Sequence, residues 1–180
     1  MTKQSGVTLM ELMIVIAIIG VASTIAIPNF RSWFPQYRLS VASRDMVSTF
    51  QMARLKAIKN NTDIVVAINL GTDTYTVFED DGQGSVDADA NGILDGALNW
   101  VPDGTERVYQ TKPLPPGIDI TAASFPGTTS VRSVRFNRQG FPLDELAGNN
   151  ISGTVDFSNN RGTTQRVLLD ISGNSRLPNV

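Results

Sequence analysis

The chain contains no cysteine and no histidine. Without cysteine no disulfide can staple the fold, so an exported domain of this sequence must rely on its apolar core or on a metal. Without histidine, Ser-His-Asp and Cys-His nucleophilic sites are excluded, and so is His-ligated zinc or iron. The commonest tools of an enzyme are therefore missing, and no nucleophile-and-base pairing is visible in their place. Net charge is low as well, formally −2. Bulk charge thus points neither to a nucleic-acid binder nor to a polybasic membrane binder. Positive charge has one conspicuous gap: no Lys or Arg occurs between Lys59 and Arg107.

What the chain does have is one long apolar run, from Val7 to Ile27, broken only by small hydroxyls and by Glu11. At about 1.5 Å per helical residue it spans roughly 30 Å, the thickness of a bilayer core. It reads as a membrane-spanning helix. Gly6, the small residue at which processing is expected, stands before this run. A secretory signal has the opposite order, with its cleavage site after the apolar region. Cutting after Gly6 would remove the polar leader of residues 1–6 and keep the greasy helix in the product.

Glu11 is costly in such a helix, about 2.5–3.5 kcal/mol on insertion scales. A cut at Gly6 would create a positive α-amino group on Val7, one turn away. Glu11 then has two readings. It stabilises the positive N-terminal end of its own helix, or it meets the Val7 amine of a neighbouring copy and sets the register of stacked helices.

Gly6-Val7-Thr8-Leu9-Met10-Glu11-Leu12, the apolar run and Pro28 together resemble the class III signal of type IV pilins and type II secretion pseudopilins. The resemblance implies cleavage between Gly6 and Val7 by a prepilin peptidase and N-methylation of Val7. It also implies assembly into a helical filament through Thr8 and Glu11. The family usually has Phe at the new N-terminus, where this chain has Val7. The resemblance, and not the charges, places the N-terminus in the cytoplasm: Lys3 lies on one side of the span, Arg31 and Arg38 on the other, against a positive-inside count.

Beyond the run, residues 29–60 keep apolar side chains at helical spacing. Leu39, Ala42, Met46, Ala53 and Ala57 form a stripe that Phe50 and Ile58 widen. This stripe should face a sheet while Arg44, Arg54 and Lys59 stay wet. Pro28 and Pro35 each remove a backbone donor and should kink or loosen the helix. Pro28 reads either as a break where the helix leaves the membrane or as a weak point that lets it stretch in a filament. Lys56, Lys59 and Asn60-Asn61 mark the stop.

The periodicity then changes. Strands are expected at Asp63–Asn69, Thr74–Phe78, Arg107–Thr111, Ile118–Thr121, Val131–Phe136, Gly153–Phe157 and Gln165–Ile171, separated by Pro, Gly and Asn clusters. The fold class is α+β, pilin-like: a long, partly transmembrane helix packed on a C-terminal antiparallel β-sandwich-like head. The divisions are a leader over 1–6, an assembly half of the helix over 7–27, a periplasmic half over 28–61 and the head over 62–180. Tyr37-Arg38-Leu39, Gln51 through Ile58, Tyr75 through Phe78, Leu114-Pro-Pro-Gly117, Val134 through Gly140 and Ile171 through Arg176 resemble the GspH/FimT family of minor pseudopilins and minor pilins. The order of these motifs carries the resemblance.

It implies a non-catalytic subunit of a periplasmic pseudopilus in type II secretion, or of a type IV pilus with DNA uptake as a further role. It sits in the bacterial inner membrane with its head in the periplasm. The implied partners are other pilin-like subunits, the prepilin peptidase and the assembly platform. Two side readings concern the head. Asp87, Asp89, Asn91, Ile93 and Asp95 match the first positions of an EF-hand-like calcium loop, with Gly92 at the turn. The twelfth position is Leu98 and not a bidentate Glu, so Asp80, Asp81 or Asp103 would have to complete the site. The alternative is a polar surface loop. The second reading concerns Arg132, Arg135, Arg138, Arg161, Arg166 and Arg176. Either some of them share one strand face and contact DNA phosphates, or they are solvated residues paired with nearby acids. Aromatic residues for base stacking are sparse among them.

Overall fold

The structure, a computed structural model, describes residues 6–80, 102, 106–144 and 148–178, and within these the side chains of residues 25–32 lie outside the description. One helix, α1, runs from Leu9 to Asn60. At about 1.5 Å per residue it is a rod of about 78 Å. Thr8 caps it with extended backbone (φ −78°, ψ 153°), its side chain accepting from the Glu11 amide at 3.2 Å. Asn61 ends it in the left-handed conformation (φ 54°), its amide bonded to the Ala57 carbonyl. An asparagine tolerates that conformation better than most residues, which is why the Asn60-Asn61 pair stops the helix. The helix is continuous through Pro28 and Pro35. Each proline removes one backbone bond, and the neighbouring bonds carry the turn, so neither ends the helix.

Among the described residues nine strands follow: β1 Asp63–Asn69, β2 Thr74–Asp80, β3 Val108–Pro113, β4 Ile118–Ala123, β5 Val131–Phe136, β6 Pro142–Leu143, β7 Gly153–Asn159, β8 Thr164–Leu169 and β9 Ser175–Arg176. They make two antiparallel sheets, in the orders β3-β2-β1-β5-β6 and β4-β7-β8-β9. The expected α+β architecture, a long helix packed on an antiparallel head, is therefore present. The expected strands all occur, β1 and β5 with the expected bounds and the others with ends shifted by at most two residues. The two-residue strands β6 and β9 escape a reading by periodicity, because two residues show no alternation.

Both sheets pack on the second half of α1. Leu39, Ala42, Met46, Phe50, Ala53 and Ala57 are buried at 2% exposure or less. They meet Ile64, Val66 and Ile68 of β1, Val134 and Phe136 of β5, Val155 and Phe157 of β7, and Val167 and Leu169 of β8 in one core. Three alanines on the stripe let the helix backbone lie close to the sheets. Phe50 is central, with Phe125 edge-on at 5.9 Å and Phe136 at 6.3 Å. β1 is buried on both faces, since Val65 and Ala67 join Phe78 in a second cluster. That double burial explains the unbroken run Ile64-Val65-Val66-Ala67-Ile68, which an alternating strand would not need.

Two expectations about the stripe change. Ile58 is 47% exposed, because one residue past Ala57 the helix has turned about 100° away from the core. Arg54 is half-buried and donates to Asn174 Oδ1 at 2.7 Å. Turns of the head account for the burial of Arg54. The turn at Gly140 (φ 83°) and the turn at Gly173 (φ 78°) converge on this part of the helix. A Cβ on Gly140 would lie 2.7 Å from Ile58 Cδ1, and one on Gly173 would strike the Gly140 carbonyl oxygen.

Candidate assembly helix and its anchorage in the head

The helix begins two residues after Val7. Gly6, Val7 and Thr8 are non-helical and exposed, so the Gly6–Val7 bond lies in accessible chain ahead of the helix. Thr8-Leu9-Met10-Glu11 has the Thr-x-x-Glu spacing of a capping box, and the Thr8 half of that box is made. The Thr-x-x-Glu spacing is the sequence signal for this role of Thr8. Glu11 lies in the first turn and is exposed.

Nothing in the chain's own head covers the apolar half of the helix among the described residues. Its large side chains from Val7 to Val21 remain open, from Val15 at 46% to Leu9 at 77%. Side chains are described only to Thr24 on this run, and on what is described no helix is long and apolar enough to cross a membrane. Ser23 and Thr24 return their hydroxyls to the Ile19 and Val21 carbonyls at 2.7 Å. Their polarity is thereby satisfied within the helix, as an apolar surrounding requires.

The other half of the helix is tied to the first sheet by two polar clasps. Asp45 accepts a hydrogen bond from the Tyr75 hydroxyl and pairs with Lys112 Nζ at 2.6 Å. Burial, reinforced by the Asp45 carboxylate, pushes the Tyr75 phenol well above its ordinary range. At the helix end Asn60 Nδ2 donates to Tyr109 Oη at 2.7 Å, and Tyr109 donates to Glu79 Oε2 at 2.6 Å. Lys56 Nζ lies 3.9 Å from the Tyr109 ring centroid. Partial burial and the Glu79 carboxylate raise the Tyr109 phenol too. Sequence spacing contained no signal for either clasp, because each joins the helix to strands far along the chain. A third tie is Arg38 Nη1 to the Pro116 carbonyl at 3.0 Å, which gives the Leu114-Pro-Pro-Gly117 motif a structural role.

The six arginines do not gather. Arg132 lies opposite Ile68 and Arg135 opposite Val65, on opposite faces of one sheet. Arg166 and Arg176 belong to the other sheet. Arg166 forks onto Asp156 at 2.6 and 2.7 Å. Arg135 and Arg138 approach Asp63 at 3.8 and 3.9 Å. Pairing with acids thus accounts for three of the six, and the period-two parity of Arg132 and Arg135 already separates them. The proposed calcium ligands Asp87, Asp89, Asn91, Ile93 and Asp95 lie outside the described residues. Among the described residues no group of three or more acids is placed to hold a metal.

Comparison with known proteins agrees with this geometry. Residues 42–174 match the family described as Type II transport protein GspH, and residues 1–27 match the prokaryotic N-terminal methylation motif. A fimbrial protein of Pseudomonas aeruginosa is 32% identical over 106 residues, covering 56% of this chain and 68% of that protein. The minor pseudopilin EpsH from the type 2 secretion system of Vibrio cholerae superposes with a TM-score of 0.51 at 14% identity, over 78% of this chain and 96% of that one. The type IV minor pilin FimU of Pseudomonas aeruginosa gives 0.50 at 12% identity, over 80% and 90%. The chain belongs to the GspH family: it is a pilin-like minor subunit, of the kind found in type II secretion pseudopili or type IV pili, with the N-terminal methylation motif on its long helix.

Proposed function

We propose that the chain is a minor subunit of a type II secretion pseudopilus. It is cut between Gly6 and Val7 and methylated on the Val7 amine. Glu11 then neutralises the Val7 amine of a neighbouring subunit. Before assembly residues 7–27 hold it in the inner membrane, with residues 28–61 and the head, residues 62–180, in the periplasm. Pro28 is the point at which the packed helix stretches. The single observation that carries this reading is the exposed apolar half-helix with Glu11 at its start and an exposed, non-helical Gly6–Val7 bond ahead of it. Such a surface needs lipid first and sister helices afterwards. The expected partners are other pilin-like subunits, the peptidase and the assembly platform.

Intact mass of the protein from cells with and without the prepilin peptidase tests the processing. The expected product begins at Val7 and carries one methyl group. A product that still begins at Met1 in both strains overturns it. Glu11→Leu tests assembly: the variant should be cut normally yet fail to enter filaments.

A second reading, a minor pilin of a type IV pilus, is favoured by the 32% identity to the fimbrial protein. Deleting the gene separates the two, by loss of protein secretion or by loss of surface pili.

A further inference from the structure

Four aromatic residues lie on α1 between the end of the apolar run at Ile27 and the first core residue, Leu39, and the side chains of three of them are described. Trp33, Phe34 and Tyr37 are 55%, 47% and 51% exposed. Trp33 stacks on Tyr37 with centroids 4.9 Å apart and tilts against Phe34 at 5.8 Å. At about 100° per residue the group centres roughly opposite the Leu39–Ala57 stripe. It faces away from the sheets and does not extend the core of the head.

We propose that this aromatic group is an interfacial anchor. It lies in the headgroup layer of the leaflet nearest the head and fixes the height of the head above the bilayer until the subunit is drawn into a filament. The proposal rests on the reading that residues 7–27 span the membrane.

Three observations carry it. The first is distance. Trp33 is six residues past Ile27, about 9 Å along the helix axis. Long helical side chains lean back over the preceding turn, which brings the indole into the headgroup layer, roughly 5–7 Å deep on each side of the core. The second is chemistry. Trp and Tyr pair an apolar body with a polar tip and concentrate where hydrocarbon meets water. The third is rigidity. Arg38, one residue past Tyr37, is bonded to the Pro116 carbonyl at 3.0 Å, and Leu39 is already core. The depth of the aromatic group is therefore transmitted to the head.

The test uses the full chain in vesicles of phosphatidylcholine and phosphatidylglycerol at high lipid-to-protein ratio. The chain has two tryptophans, so Trp100→Phe leaves Trp33 as sole reporter. Lipids brominated near the headgroup or near the chain ends act as depth-resolved quenchers. A companion chain with Trp33→Phe, Trp100→Phe and Ile16→Trp reports the middle of the apolar run. Trp33 should emit to the blue of its unfolded value and lose most intensity to the shallow bromines. The Ile16→Trp reporter should lose most to the deep ones. If the deep reporter is quenched and Trp33 is not, the anchor is wrong while the membrane span stands. Blue-shifted but unquenched Trp33 means that protein, a second subunit, covers the site, and this too overturns the anchor. If neither reporter is quenched, the span reading fails and the anchor with it. Should Trp100→Phe not fold, Trp33→Cys in this cysteine-free chain, labelled with a polarity-sensitive dye, reads the same depth.

Discussion

The Tyr75–Asp45 clasp offers a quantitative test of how the head is held on the helix. Tyr75 is 1% exposed, and its hydroxyl donates to a carboxylate that also pairs with Lys112 at 2.6 Å. A hydrogen bond to a charged group contributes about 1.5–3 kcal/mol. Tyr75→Phe removes it but leaves Asp45 its lysine and some access to water, so a loss near the lower end, about 1.5 kcal/mol, is expected. Asp45→Ala also strands a buried hydroxyl and removes a half-exposed ion pair of about 0.2–1 kcal/mol, for a total of about 2–4 kcal/mol. The double variant should show a coupling of about 1.5 kcal/mol, because the two changes remove the same bond. For a chain of this length 1.5 kcal/mol lowers Tm by about 3–6 °C.

The pH dependence has a definite sign. Burial first, and the Asp45 carboxylate second, raise the folded phenol above its ordinary value. The folded state therefore keeps this proton when the unfolded chain gives it up. The contribution is complete below about pH 10, the unfolded phenol pKa, and is lost as pH rises beyond it. Thermal melts of the full chain in detergent between neutral pH and pH 11, comparing wild type with Tyr75→Phe, measure this. Their Tm values should converge above pH 10. Equal Tm at neutral pH, with parallel decline in alkali, would refute the clasp.

Gly153→Ala should destabilise by about 1–3 kcal/mol in the same melts, since its Cβ would lie 2.6 Å from Phe125 Cδ1, on a ring that is 2% exposed. Adding Phe125→Leu should restore part of the loss. Met46→Ala opens the core beneath the helix and should cost about 2–5 kcal/mol in denaturant unfolding. Thr8→Ala removes the cap of the helix, about 1 kcal/mol locally, and should speed hydrogen exchange at the Glu11 amide without changing the melting of the head.

Much of this protein could be read along the chain because its signals are local. The apolar run, the 3.6-residue stripe from Leu39 to Ala57 and the Asn60-Asn61 stop each lie within one stretch of backbone. Short-range sterics and burial on one face decide them. The N-terminal methylation motif, with Gly6 and Glu11 in it, is equally local. Tertiary structure alone decided what depends on distant partners. It separated the strands into two sheets by pairing β4 with β7, and it drew the Gly140 and Gly173 turns together against Arg54 and Ile58. It also placed Tyr75 and Lys112 on Asp45, and divided the arginines between faces and acids. In each case the physical reason is the same: a hydrogen bond or ion pair acts over a few ångströms of space, and no spacing along a linear chain encodes which remote groups will meet.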